Sequence, residues 1–178
     1  MVGRFTGGNR KDNIMVESGI MYNLYLIAHF ILALIWLGAA IYLDFTFLGG
    51  FSKATTEGKK TMIVRIRSLS DRTEMIASFF LPLVGVLMII DRTFWLKVGV
   101  MHGKIMLALI AIGIYHASRG VLKKLEAALD EGTPTEGLQK RYVLFRMIVL
   151  VFLVSSVTMI ISYKGVISTF FLISSWLG

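Results

Sequence analysis

The chain has 178 residues and contains no cysteine, only two prolines and only three histidines. Without cysteine there is no disulfide, no thiolate nucleophile and no iron–sulfur cluster on cysteine ligands, and a haem would have to be bound without covalent attachment. Acidic residues are scarce too: 11 Asp and Glu stand against 19 Lys and Arg, a net charge of +8. What fills the chain instead is apolar. The hydrophobic fraction is 56% and the mean hydropathy is +0.73, values that belong to membrane proteins rather than soluble domains.

Crossing a hydrocarbon core of about 30 Å takes roughly 20 apolar residues as a helix. Four segments meet that requirement, at 19–43, 75–91, 99–118 and 143–163. The second is the shortest and carries Pro82, which predicts a kinked or tilted helix. The runs are continuous, whereas barrel strands would alternate apolar and polar residues. The expectation is therefore an all-α, integral membrane four-helix bundle. A polar tail at 1–18 precedes the transmembrane domain at 19–163, and an apolar tail follows at 164–178. That last stretch is too short to span alone and predicts a short C-terminal helix with Trp176 at the boundary. The first 19 residues are polar and Gly-rich with no cleavage signature, so the first helix is expected to act as the targeting element.

The positive charge is distributed by topology. The connection 44–72 holds Lys53, Lys59, Lys60, Arg65, Arg67 and Arg72, and residues 119–146 hold Arg119, Lys123, Lys124, Lys140, Arg141 and Arg146. The other side has Arg4, Arg10, Lys11, Arg92, Lys97, Lys104 and Lys164. Twelve against seven follows the positive-inside rule, with both termini outside and both long connections in the cytoplasm. The reading is a multi-pass protein of the bacterial inner (cytoplasmic) membrane. Its natural partner is membrane lipid, anionic lipid in particular, and not nucleic acid. The later part of 50–72 predicts an amphipathic interfacial helix. Residues 120–140 begin as a helical extension that Gly132, Pro134 and Gly137 break, with Thr135 as a candidate cap.

Ionisable side chains at membrane depth mark function by default. His29 lies in the first apolar segment, and His102 and His116 lie in the third. At 1.5 Å per residue His29 sits roughly 12–15 Å below the outer boundary, and His116 about 21 Å further in than His102. A metal or haem iron held from two helices needs both ligands at one level. His29 can then pair with His102 or Lys104, but not with His116. His102 and Lys104 point about 200° apart on one helix, so only one of them faces the first helix. Trp36, seven residues on from His29, shares its face. The plainer readings are a packing histidine at 29, interfacial histidines at 102 and 116, and a lysine that snorkels outward. Met101, His102, Met106 and His29 together form a weak copper(I) pattern. Gly38, Ala39, Ala40, Gly113 and Ser118 predict close helix approach or room for a flat cofactor. Arg67, Arg72 and Arg146 are candidates for haem propionates, a quinone or lipid.

The layout resembles the haem-binding bacterial protoporphyrinogen oxidases and, more loosely, the copper-resistance D-like membrane proteins. The resemblance rests on His29, Trp36 and Tyr42 in the first helix, Pro82 and Gly85 in the second, and His102-x-Lys104 with Tyr115-His116 in the third. Phe145-Arg146 opens the fourth. It covers about residues 22–165. It implies one haem b per chain held between the first and third helices, with His29 and Lys104 as axial ligands and His102 as the alternative to Lys104. Trp36 and Tyr42 would line the cofactor. It also implies oxidation of a porphyrinogen, with electrons passed to a quinone or a respiratory-chain partner. Asp44-Phe45 follow Tyr42-Leu43 where that family continues Pro-Arg, and Met147-Ile148 replace its Asn-Glu. These departures bear on the activity more than on the fold. The expected function is thus a membrane haem protein in electron transfer or oxidoreduction. The alternatives are a non-catalytic small subunit of a larger respiratory or photosynthetic complex, and copper handling. A homo-oligomer or a larger membrane complex fits the first two.

Overall fold

The computed structural model describes the backbone of residues 10–176 and the side chains of 20–159. Five helices carry the fold: α1 (Arg10–Gly50), α2 (Thr56–Arg72), α3 (Glu74–Asp91), α4 (Gly99–Asp130) and α5 (Glu136–Trp176). Short 3-10 turns at Phe51–Lys53 and Thr93–Lys97 connect them. Four helical stretches are long and apolar enough to cross a membrane, with α2 and α3 together forming one of them. The architecture is the expected all-α four-helix membrane bundle.

Contacts between element ends fix the direction of each helix. Phe47 near the end of α1 packs against Tyr142 at the start of α5, ring centroids 4.7 Å apart. Tyr22 near the start of α1 accepts a 2.9 Å hydrogen bond from Trp95 Nε1 in the turn between α3 and α4. The helices therefore run up and down in alternation. One end holds α2 and the α4–α5 turn and is rich in Lys and Arg; it is called the basic end below.

Local chemistry places the breaks. Gly49 and Gly50 end α1, and Thr55 caps α2 by accepting the Gly58 N–H at 3.3 Å. Helix α2 is the amphipathic segment expected from the sequence: Ile63, Ile66 and Ser70 form its buried stripe. It is not a free interfacial helix, because that stripe is packed into the bundle and ion pairs Lys60–Asp130 and Arg67–Glu126, each 2.8 Å, tie it to α4. One residue, Thr73, separates α2 from α3. Inside α3, Pro82 removes the N–H that would have bonded the Ser78 carbonyl. Helix α4 ends in a Schellman turn: Gly132 takes φ +69° and the Thr133 N–H reaches back to the Ala128 carbonyl at 2.9 Å.

Two differences from the sequence reading stand out. Helix α1 already begins at Arg10, inside the expected polar tail, and α5 continues without a break past Lys164 and Gly165 to Trp176. The apolar tail thus extends the last helix rather than forming a separate element. The Trp176 side chain lies outside the described residues.

Helix α1 packs along α3, α4 along α5, and α1 meets α5, while α3 and α4 approach mainly through their connecting turn. Burial is concentrated toward the basic end. Phe51, Ile63 and Leu125 are fully buried there, and Trp36, Ala77, Tyr115 and Val149 form a second buried group one level up. Farther from the basic end, large apolar side chains face outward, among them Phe30 at 60% and Ile90 at 67% exposure. That girdle is the surface a lipid bilayer covers. Gly38 and Gly113 do not mediate close packing as expected: both are exposed and a Cβ would meet nothing within 4 Å.

Candidate functional site

Ionisable groups meet inside the bundle at two levels. The first is centred on His29, half-buried in α1. Its Nδ1 is buried and has no hydrogen-bond partner among the described residues. A Cβ built on Gly85 of α3 would lie 3.4 Å from His29 Cε1, so the imidazole packs close to the α3 backbone with room there for little more than a methyl. Lys104, half-buried on α4, is close enough for its charge to act on the ring.

The other predicted site residues divide. Trp36 is fully buried two turns from His29, edge-on to Tyr115 with centroids 5.9 Å apart, and its Nε1 also lacks a partner. Tyr42 is 60% exposed and turned out of the bundle. His102 is exposed, as is Met106, so the Met/His copper pattern forms no closed ligand shell. His116 is exposed with its ring tilted against Tyr115. Of the two α4 candidates, Lys104 is half-buried and within electrostatic reach of His29, whereas His102 is exposed. Among the described residues no three His, Asp or Glu side chains converge as a metal site.

The second level, nearer the basic end, was missed by the sequence reading as a site. Arg146 of α5 is 3% exposed and donates from Nε to Asp44 Oδ1 of α1 at 2.5 Å. Its Nη2 reaches Glu74 Oε1 of α3 at 2.7 Å and its Nη1 reaches Oε2 at 3.1 Å. Ser70 of α2 donates to Glu74 Oε2 at 2.7 Å, and the Tyr115 hydroxyl of α4 lies 3.1 Å from Ser70 Oγ. All five helices contribute one side chain to this network. Asp44 is 3% and Glu74 0% exposed. Arg146 is accordingly sealed from lipid and from any propionate. Arg67 is engaged by Glu126, and Arg72 remains exposed at the end of α2. A signal was present in the sequence: Asp44 interrupts an apolar run in one helix and Arg146 in another, at matching distance from the basic end.

No known family model matches the chain, and neither a curated protein nor a solved structure shows significant similarity to it.

Proposed function

We propose that this chain is a bacterial inner-membrane redox protein that holds one b-type haem in the half of the bundle away from the basic end. The observation that carries this reading is the His29 imidazole: half-buried in an apolar bundle, seated against Gly85, with a buried Nδ1 that has no hydrogen-bond partner among the described residues. A buried polar atom without a partner is costly and uncommon, and a ligand is one of its ordinary explanations. The donor set fits a haem, since imidazole nitrogen is a common axial ligand. Lys104 would supply an amine from α4 as second ligand, and only in its neutral form. A haem bound there would carry single electrons.

The chain's own residues do the rest. Gly85 keeps the His29 ring against α3 by leaving room for it. Trp36 closes the bundle on the side toward the basic end, together with Tyr115. The exposed apolar girdle keeps water from the site. Porphyrinogen oxidation with a quinone as acceptor is the reaction class the sequence resemblance suggests.

The test is a reduced-minus-oxidised visible spectrum of the purified protein, with haem quantified against protein. Sharp bands at about one haem per chain, lost in His29→Ala, are expected for six-coordinate b-type haem. Unstripped protein with no such spectrum, or His29→Ala with full haem content, overturns the reading.

A further inference from the structure

The network at Arg146 carries an excess of negative charge. Two carboxylates face one guanidinium, all at most 3% exposed. Among the described residues the only charges that act on Asp44 are Arg146 and Glu74. The remaining neighbours are hydroxyls: Ser70 from α2 and Tyr115 from α4, with Tyr142 on α5 one turn before Arg146. Arg119, the next cation, is held by Asp71 and stacks over the outer side of the Tyr115 ring at 5.9 Å. An uncompensated charge in an apolar interior is neutralised rather than tolerated.

The hydrogen bonds decide which carboxyl gives way. Glu74 accepts three, from Arg146 Nη1, Arg146 Nη2 and Ser70, so both its oxygens are served. Asp44 accepts one, at Oδ1, while Oδ2 is buried with no partner among the described residues. Bonds donated to a carboxylate stabilise its ionised form, and Glu74 receives nearly all of them. A metal cation does not fit there: it needs a shell of oxygens, and among the described residues Oδ2 is the one buried carboxylate oxygen of the cluster left unengaged. A proton needs one.

We propose that Asp44 Oδ2 is a proton-binding site, neutral at physiological pH and set within the membrane-spanning bundle. The proton comes from water; the O–H bond forms at Oδ2, and the cluster changes from one net negative charge to none. Arg146 and Glu74 stay ionised as a closed pair. A carboxyl that loads and unloads at this depth is the kind of group through which a membrane protein takes up a proton from one aqueous phase. The site lies at a different level from His29 and does not depend on a haem.

Infrared spectroscopy of the full-length protein in lipid tests it. The expected result is a protonated-carboxyl stretching band at neutral pH that disappears on raising the pH. Carbon-13 labelling of aspartate side-chain carboxyls should shift the band, and labelling of glutamate should not. Among the described aspartates Asp44 alone is buried: Asp91 is exposed, and Asp71 and Asp130 are paired with Arg119 and Lys60 at the surface. Asp44→Asn should abolish the band while keeping the melting temperature within a few degrees, since the amide resembles the neutral acid. A neutral-pH band that moves with the glutamate label, one that survives in Asp44→Asn, or no such band at all overturns the proposal. If Asp44→Asn fails to fold, the labelled wild type decides alone.

Discussion

Arg146 Nε donates to Asp44 Oδ1 at 2.5 Å, a hydrogen bond between residues 102 positions apart, and the same guanidinium grips Glu74. One side chain thereby ties α1, α3 and α5 together at one level. Removing it leaves two buried carboxyls with no cation, a loss of the kind that costs about 3–5 kcal/mol. Arg146→Met, which keeps much of the volume, should therefore be strongly destabilised in thermal unfolding. Arg146→Lys should fall between, because a single ammonium lacks the planar fork that reaches both carboxyls. A Met variant as stable as wild type would show that the cluster is not holding the helices.

How much of this was legible beforehand varied with the physics involved. The spans followed from apolar run length, and the helix break at Gly132 from a residue that alone adopts positive φ without strain. The placement of α2 was half legible: its periodicity showed Ile63 and Ile66 on one stripe, but not that α4 would cover them. The cluster stayed hidden because its members come from separate helices, and one sequence does not state which helices adjoin. Asp44 was noticed only as a departure from a family pattern. Depth, which rise per residue gives, put His102 and Lys104 equally at the level of His29, and only the family resemblance favoured Lys104. Tyr42 illustrates the limit: six residues on from Trp36, it is turned roughly 120° away around the helix and is exposed.

His29 and Gly85 give the sharpest separation of binding from folding. His29 Nδ1 has no side-chain partner among the described residues and the polar neighbour of the ring is the Leu81 backbone, so His29→Ala loses packing and at most that one contact, and its melting temperature should drop only modestly. Its haem content should fall to near zero. Lys104→Ala should change the haem spectrum or occupancy, whereas His102→Ala and Tyr42→Phe, both exposed, should leave it unaltered. Gly85→Ala would put a methyl 3.4 Å from His29 Cε1, an ordinary contact, and should be tolerated. Gly85→Leu should push the imidazole away and reduce haem content at nearly constant helicity. Equal haem in all these variants would dissociate the cofactor from this site.

The turn at Gly132 is a local test of the α4–α5 connection. Its φ of +69° disfavours any residue with a Cβ, by roughly 1–2 kcal/mol. The space around it is open, so Gly132→Ala meets no clash and any loss is conformational. Gly132→Asn should recover part of it, since Asn tolerates that region. Unfolding midpoints of the three proteins in one detergent measure the order Gly, Asn, Ala.

The far end of the bundle is fastened differently, and the fastening is separable. Trp95 Nε1 donates to the Tyr22 hydroxyl at 2.9 Å, and Arg92 stacks on the same ring at 4.2 Å. Tyr22 is the one buried side chain between residues 20 and 35 of α1, so the start of that helix is held to the α3–α4 turn largely here. Trp95→Phe and Tyr22→Phe each remove the hydrogen bond while leaving an aromatic ring, and each should cost roughly 0.5–1.5 kcal/mol. Because they delete the same bond, the double variant should cost little more than either alone, which a double-mutant cycle reads directly. Additive losses would mean that the two residues stabilise the helix ends independently. In that case the hydrogen bond contributes nothing, and the Arg92 stack with aromatic burial carries the contact.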